Sequence, residues 1–276
     1  MSKTRILYVS QAIQPFLPES PISKASRVIP QSIHERGREI RVFMPRFGVI
    51  NERRHQLHEV IRLSGMNLNV NDTDHPLIIK VASIPTARMQ VYFIDNEQYF
   101  KKKVTWFDAK DKLVPDNDER AIFFARGVLE TVRKLSWAPD IIHCHGWMTS
   151  LVPLYAKQMF QGDAHFADTK IISSIYDEGF KGTLNGSLHE KIAYDGISAD
   201  LVANLKLPTF DAMNKIAMEH SDAVVAGSEV LTEDTQAAFE SLTLPTMRYM
   251  EPELSSAEMT TFYDSILEGK QEAVEG

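Results

Sequence analysis

The sequence predicts an α/β domain in which a parallel sheet is flanked by helices on both faces. Two observations carry this. Short β-branched and aliphatic runs alternate with longer helical patterns along the chain. Most of those runs are continuously apolar rather than alternating, as strands buried on both faces must be. A third observation is length, since 276 residues can bury a core that needs no disulfide or metal staple.

Taken in order, residues 5–10 form the first strand and residues 40–44 the second. Residues 51–75 are polar and weakly patterned, which predicts a hairpin or loop outside the core. Strands follow at 77–83 and 90–94. The strongest helix spans 117–135, where Ala121, Phe124, Ala125, Val128, Leu129 and Val132 recur at three- and four-residue spacing. Asp116, Asp118 and Glu119 stand at its start, where the helix dipole favours negative charge. Strands at 140–144, 170–174 and 222–226 alternate with helices at 147–160, 210–219 and 230–241. Residues 179–200 hold four glycines and read as a surface excursion with short helical pieces. Residues 255–268 form an amphipathic helix through Met259, Phe262, Tyr263 and Ile266, after which the chain frays. The expected division is therefore a domain over 1–250 and an acidic helix or tail over 251–276.

The net charge of −7 is uneven, because residues 251–276 hold seven acids against one lysine. Neither the body nor the tail offers the basic field that a phosphate backbone requires, which argues against nucleic acid as a partner. No apolar stretch is long enough to span a membrane, and the N-terminus lacks the apolar core and cleavage site of a secretory signal. The lone Cys144 can form no internal bridge, which suits a reducing cytoplasm.

Five blocks then occur in a recognisable order. They are Ile6-Leu-Tyr-Val-Ser10 with Gln14-Pro-Phe-Leu17, Ile29-Pro-Gln-Ser-Ile33 leading to the turn ending at Gly48, Asp116-Asn-Asp-Glu-Arg-Ala-Ile-Phe-Phe-Ala-Arg126, Asp140-Ile-Ile-His-Cys-His-Gly-Trp147, and Ser221-Asp-Ala-Val-Val-Ala-Gly-Ser228. Together they resemble the catalytic domain of bacterial starch and glycogen synthases over roughly residues 5 to 240. The resemblance implies the N-terminal lobe of a GT-B glycosyltransferase, a Rossmann-like domain that receives the acceptor. A second lobe, beginning where this chain ends, would carry most of the nucleotide-sugar site. It also implies transfer of glucose from ADP-glucose to an α-1,4-glucan, with no further cofactor.

Departures from that pattern set the functional expectation. The family's Lys-Thr-Gly-Gly-Leu donor signature, placed by its distance from Pro30, falls on Pro18, Glu19, Ser20, Pro21 and Ile22. Proline offers no N–H to a diphosphate and Glu19 repels one. Lys24 lies near, at the wrong spacing. The family's His-Asp-Trp-His block has Gly146 at its aspartate and Met148 at its second histidine, and Tyr176 replaces the histidine of its Thr-Val-His-Asn block. Tyrosine cannot supply a histidine's proton chemistry at neutral pH, although its ring can stack on a sugar. No catalytic residue is assigned. Asp95, Asn117, His145, Trp147, Tyr176 and Asp177 are the expected sugar-binding cleft, with Pro18, Glu19, Ser20 and Pro21 as a degenerate donor loop.

The remaining candidates favour plainer readings. His143 and His145 share one side of a strand, but no third ligand has metal-site spacing. Cys144 lies mid-strand, where cysteines are packing residues. Asp177 and Glu178 are adjacent and point apart, as in a solvated loop, and Gly179, Gly182 and Gly186 lack the spacing of a dinucleotide fingerprint. Lys101, Lys102 and Lys103 beside Tyr99, Phe100, Trp106 and Phe107 read as solvated surface before they read as a sugar or protein site. Three functions follow: a non-transferring lobe that binds glucan or a protein partner, a transferase half completed by a separate chain, and an assembly or homo-oligomeric protein that binds no sugar. A cleft edge keeping its polar groups favours the first, and a filled edge the third.

Overall fold

The computed structural model describes residues 3–269. Its strands are β1 (Arg5–Ser10), β2 (Glu39–Pro45), β3 (His58–Glu59), β4 (Met66–Val70), β5 (Thr73–Ile84), β6 (Met89–Asp95), β7 (Ile141–His145), β8 (Lys170–Ile175), β9 (Ala223–Ala226) and β10 (Thr246–Met247). Its α-helices are α1 (Pro21–Glu35), α2 (Glu97–Phe100), α3 (Asn117–Lys134), α4 (Leu151–Gln158), α5 (Leu188–Tyr194), α6 (Phe210–Glu219), α7 (Glu233–Glu240) and α8 (Ser256–Glu268).

The sheet runs β10-β9-β8-β7-β1-β2-β6-β5-β3, with β4 paired to β5. Every pairing from β10 to β6 is parallel, and the continuous apolar runs of β1 and β7 are wholly buried. The far edge corrects the all-parallel expectation: β5 pairs antiparallel with β6, β3 and β4. The reason is the link Pro85–Arg88, since a connection this short closes a hairpin and cannot cross over to a parallel partner. The hairpin expected within 51–75 is present as β3, β4 and the start of β5. It is not outside the core, because Leu63, Leu68 and Val70 are buried.

Helix α1 lies against β1 and β2, with α8 packed beside it, while α3, α4 and α6 form a second layer. Strand order runs outward from β1 in both directions, so the crevice between the ends of β1 and β7 is a topological switch point. Helix α8 is anchored by burial of Met259, Tyr263 and Ile266, by the Arg38–Asp264 ion pair at 2.6 Å and by Arg36 donating to Ser256. The fraying expected past Glu268 lies outside the described residues. The excursion 179–200 is pinned to the body through buried Leu188, Lys191 and Ile192 of α5.

Candidate functional site

At the carboxyl ends of the strands, the first feature is the start of α1. The first turn of a helix leaves backbone N–H groups without intrahelical partners, and such groups bind anions. Here each is accounted for. Pro21 has no N–H. The Ile22 N–H donates to Glu178 Oε1 at 2.5 Å, and the Ser23 N–H donates to the Ser20 side chain at 3.2 Å. Ser23 Oγ accepts from the Ser20 N–H in return, completing a capping box. Burial raises the Glu178 pKa, opposed by the Ile22 N–H and the neighbouring Ser20 side chain. Glu178 thus comes from the end of β8 to close a helix 156 residues away in sequence, not to stand in a solvated loop. Lys24 is engaged as well, 2.8 Å from Glu253 and 3.9 Å from Glu251 on the segment leading to α8.

Beneath this lies a buried polar network. His143 and His145 project from β7 to the same side, with ring centroids 4.2 Å apart. His143 Nδ1 lies 2.6 Å from Tyr263 Oη of α8 and its Nε2 2.7 Å from Ser174 Oγ. Tyr263 Oη also shares a hydrogen bond with Tyr8 Oη at 3.1 Å. His145 Nδ1 pairs with Tyr176 Oη at 2.8 Å. Burial holds the His143 pKa well below the ordinary value and lowers that of His145 to about 3, so both rings are neutral. Cys144 between them is buried, and burial raises its thiol pKa. Among the described residues, no group of three His, Cys, Asp or Glu side chains is placed to hold a metal ion.

The residues expected to form one cleft are therefore dispersed. His145, Trp147 and Tyr176 are all at most 3% exposed, and the Tyr176 ring lies against Gly227, 2.6 Å from where a Cβ there would stand, so it offers no face to a sugar. Asp95 is buried at the end of β6 in an ionic cluster with Arg46 and Lys80, at 3.1 and 3.0 Å. Asn117 is a structural brace, donating to the Trp106 carbonyl and accepting from Arg120. Gly146 has φ +87°, and the Gln11 side chain fills the space where its Cβ would stand, at 2.6 Å. Gln11 Oε1 then accepts from the Met148 N–H.

Of that set, Tyr176 borders a cavity of about 20 Å³ and Asp177 opens onto a much larger one. The larger cavity has a volume of about 660 Å³ and lies among the loops after β6, β8 and β9. Phe107, Phe180 and Phe210 supply apolar wall, while Asp111, Lys112, Asp177 and Lys181 supply both signs of charge. Phe180 stacks edge-on against Trp147 at 4.8 Å and near Phe210 at 5.8 Å. Gly179 is needed for this packing, because a Cβ there would meet the Phe210 ring at 2.6 Å. Sequence reasoning passed over Phe180, Lys181 and Phe210. The available signal was Gly179-Phe-Lys-Gly182, an aromatic and a lysine framed by glycines just past a strand end. Lys101, Lys102 and Lys103 are exposed, Lys101 and Lys102 facing Glu97 and Asp116, while Tyr99 and Phe100 are core residues; of that cluster Phe107 reaches the cavity.

A family model described as the starch synthase catalytic domain matches residues 5–244. A glycogen synthase of Chlorobium limicola is 34% identical over 233 residues, covering 83% of this chain and 47% of that protein. One of Chlorobaculum tepidum is 37% identical over 190 residues, covering 68% and 38%. The catalytic domain of starch synthase IV from Arabidopsis thaliana, solved with ADP and acarbose, superposes with a TM-score of 0.72 at 15% identity. That superposition covers 92% of this chain and 53% of that one. The last likeness is one of fold. The chain spans about half the length of the relatives it matches.

Proposed function

This chain belongs to the starch synthase catalytic-domain family, and we propose that within it the chain is a non-transferring lobe that binds α-glucan. The observation that supports this reading is the cavity lined by Phe107, Phe180, Phe210, Asp177 and Lys181. Its volume lies in the range of small-ligand pockets, and an apolar wall with a few convergent polar groups suits a sugar ring and its hydroxyls. Of the two ligands held by the structural neighbour, acarbose corresponds in chemistry to this cavity. The start of α1, where the family resemblance puts the diphosphate, has its amides already taken. The reading assigns the chain to the cytoplasm, where its buried lone thiol stays reduced.

Calorimetric titration with maltooligosaccharides and, separately, with ADP-glucose tests this. Maltooligosaccharide should bind, and Phe180→Ala should weaken it about tenfold, the loss of one stacked aromatic contact. Turnover of ADP-glucose to ADP by the chain alone would overturn the reading. A protein-interaction role is the second reading, favoured by Leu254 and Val230, which are 71% and 69% exposed. It becomes the better one if no maltooligosaccharide binds.

A further inference from the structure

We infer that Asn185 is a site of self-modification, where the side-chain amide is lost and a carboxylate takes its place without an enzyme. Asn185-Gly186 is the one Asn-Gly step in the chain, and both residues are exposed in the excursion just before α5. The Asn185 side chain folds back along the backbone, its Oδ1 accepting from the Ser187 N–H at 3.0 Å and from Ser187 Oγ at 2.9 Å. Such a turn sets Cγ beside the intervening Gly186 nitrogen. The Gly186 N–H has no hydrogen-bond acceptor among the described residues, and no Cβ stands in its way. His189 Nδ1, 2.9 Å from the Gly186 carbonyl oxygen, holds the other side of the glycine.

The reaction needs only water. The Gly186 nitrogen gives up its proton and attacks Cγ, and negative charge gathers on Oδ1, where both Ser187 donors already point, as in an oxyanion hole. The new N–Cγ bond closes a cyclic imide as the Cγ–Nδ2 bond breaks. The proton lost from the glycine ends, through solvent, on the departing ammonia. Water then opens the imide at either carbonyl, leaving aspartate or isoaspartate. Asp195-Gly196, further along the same excursion, is the related step that the fold closes off. Its carboxylate is held by Arg126 at 2.7 Å and Tyr155 at 2.5 Å, and the Gly196 N–H donates to the Ala193 carbonyl at 2.9 Å. Conversion at Asn185 adds one negative charge to a chain of net −7, near Gly182 and Thr183 of the cavity wall. Isoaspartate also puts an extra methylene into the backbone between Leu184 and Leu188, both buried. The inference goes beyond the proposed function and holds whatever fills the cavity.

The test incubates folded wild type, urea-unfolded wild type, Gly186→Ala and Ser187→Ala at mildly alkaline pH in water enriched in heavy oxygen. Peptide mapping by mass spectrometry then follows uptake of the label at residue 185. Folded wild type should convert faster than the unfolded chain. Gly186→Ala should convert severalfold more slowly, and it keeps the fold, since a Cβ at 186 meets nothing nearer than the Lys206 carbonyl oxygen at 3.6 Å. Ser187→Ala takes one donor from Oδ1 and should slow conversion about tenfold. It removes no cap from α5, because the Ser187 side chain makes no capping bond. Folded wild type converting no faster than the unfolded chain would overturn the inference, because the turn would then shield Asn185 instead of activating it. Undiminished conversion in Gly186→Ala or in Ser187→Ala would overturn it as well.

Discussion

His143 and His145 are fully buried, and their neutrality ties stability to pH. Each has a folded pKa lowered by burial from 6.5, to about 3 for His145 and well below the ordinary value for His143. The unfolded chain takes up protons on both below about pH 6.5, and the folded chain does not. Their contribution is thus complete above that pH and is lost as pH falls toward the folded values, by about 1.4 kcal/mol per pH unit for each ring. His145→Gln should reduce the acid slope by about that amount in urea melts between pH 7 and 4.5. Identical slopes would show that His145 takes up protons equally in both states. The pairing with Tyr176 could not be foreseen, because the sequence places Tyr176 at a strand end but not which way its ring turns. Glu178 is the same kind of case. Adjacency to Asp177 read as a solvated loop, whereas the partner amide lies on another element far away in the chain.

At the scale of elements, α3 shows what the Asp116–Arg126 block is for. Arg120 is fully buried, donates to the Tyr99 and Thr105 carbonyls and to Asn117 Oδ1, and lies over the Phe47 and Phe100 rings at 5.6 and 5.2 Å. Burial lowers its pKa to about 10, so it stays charged at neutral pH. Arg126, one face further along, pairs with Asp195 at 2.7 Å and also holds the Asn69 carbonyl. The block therefore fastens the loops after β6 and the 179–200 excursion to the helix. Arg120→Met would leave buried acceptors unpaired and should cost about 3 kcal/mol in chemical denaturation, with helix content retained. An unchanged midpoint would show that water replaces the guanidinium. Most elements were legible for the reason the block was: periodicity and continuous apolar runs report burial directly. Helix α1 was less so, since its prolines at 21 and 30 interrupt the pattern, although Pro21 sits at the first position, where no N–H is needed.

For the molecule as a whole, the segment beyond β10 returns to the body instead of leaving it. Helix α8 packs beside α1 and puts Tyr263 into the histidine network, so the family-matched region and the acidic segment share one core. Removing residues 255–276 would uncover the sites of Met259, Tyr263 and Ile266, each worth about 1.5–3 kcal/mol when buried. Truncation should lower stability by about 5 kcal/mol and raise binding of an apolar dye; a truncated chain that melts like the full one would show that α8 rests on the body without supporting it. That return path was not readable, because an amphipathic helix announces an apolar stripe but not the surface that receives it. The architecture at the switch point also ties two distant positions together. Gly146 has left-handed backbone geometry and its missing side chain is replaced in space by Gln11, whose amide oxygen now holds the Met148 N–H. A side chain at 146 would meet the Gln11 amide as well as an unfavourable positive φ, and shortening Gln11 would take the acceptor from the buried Met148 N–H. The two positions therefore constrain one another: a substitution at either is felt at the other.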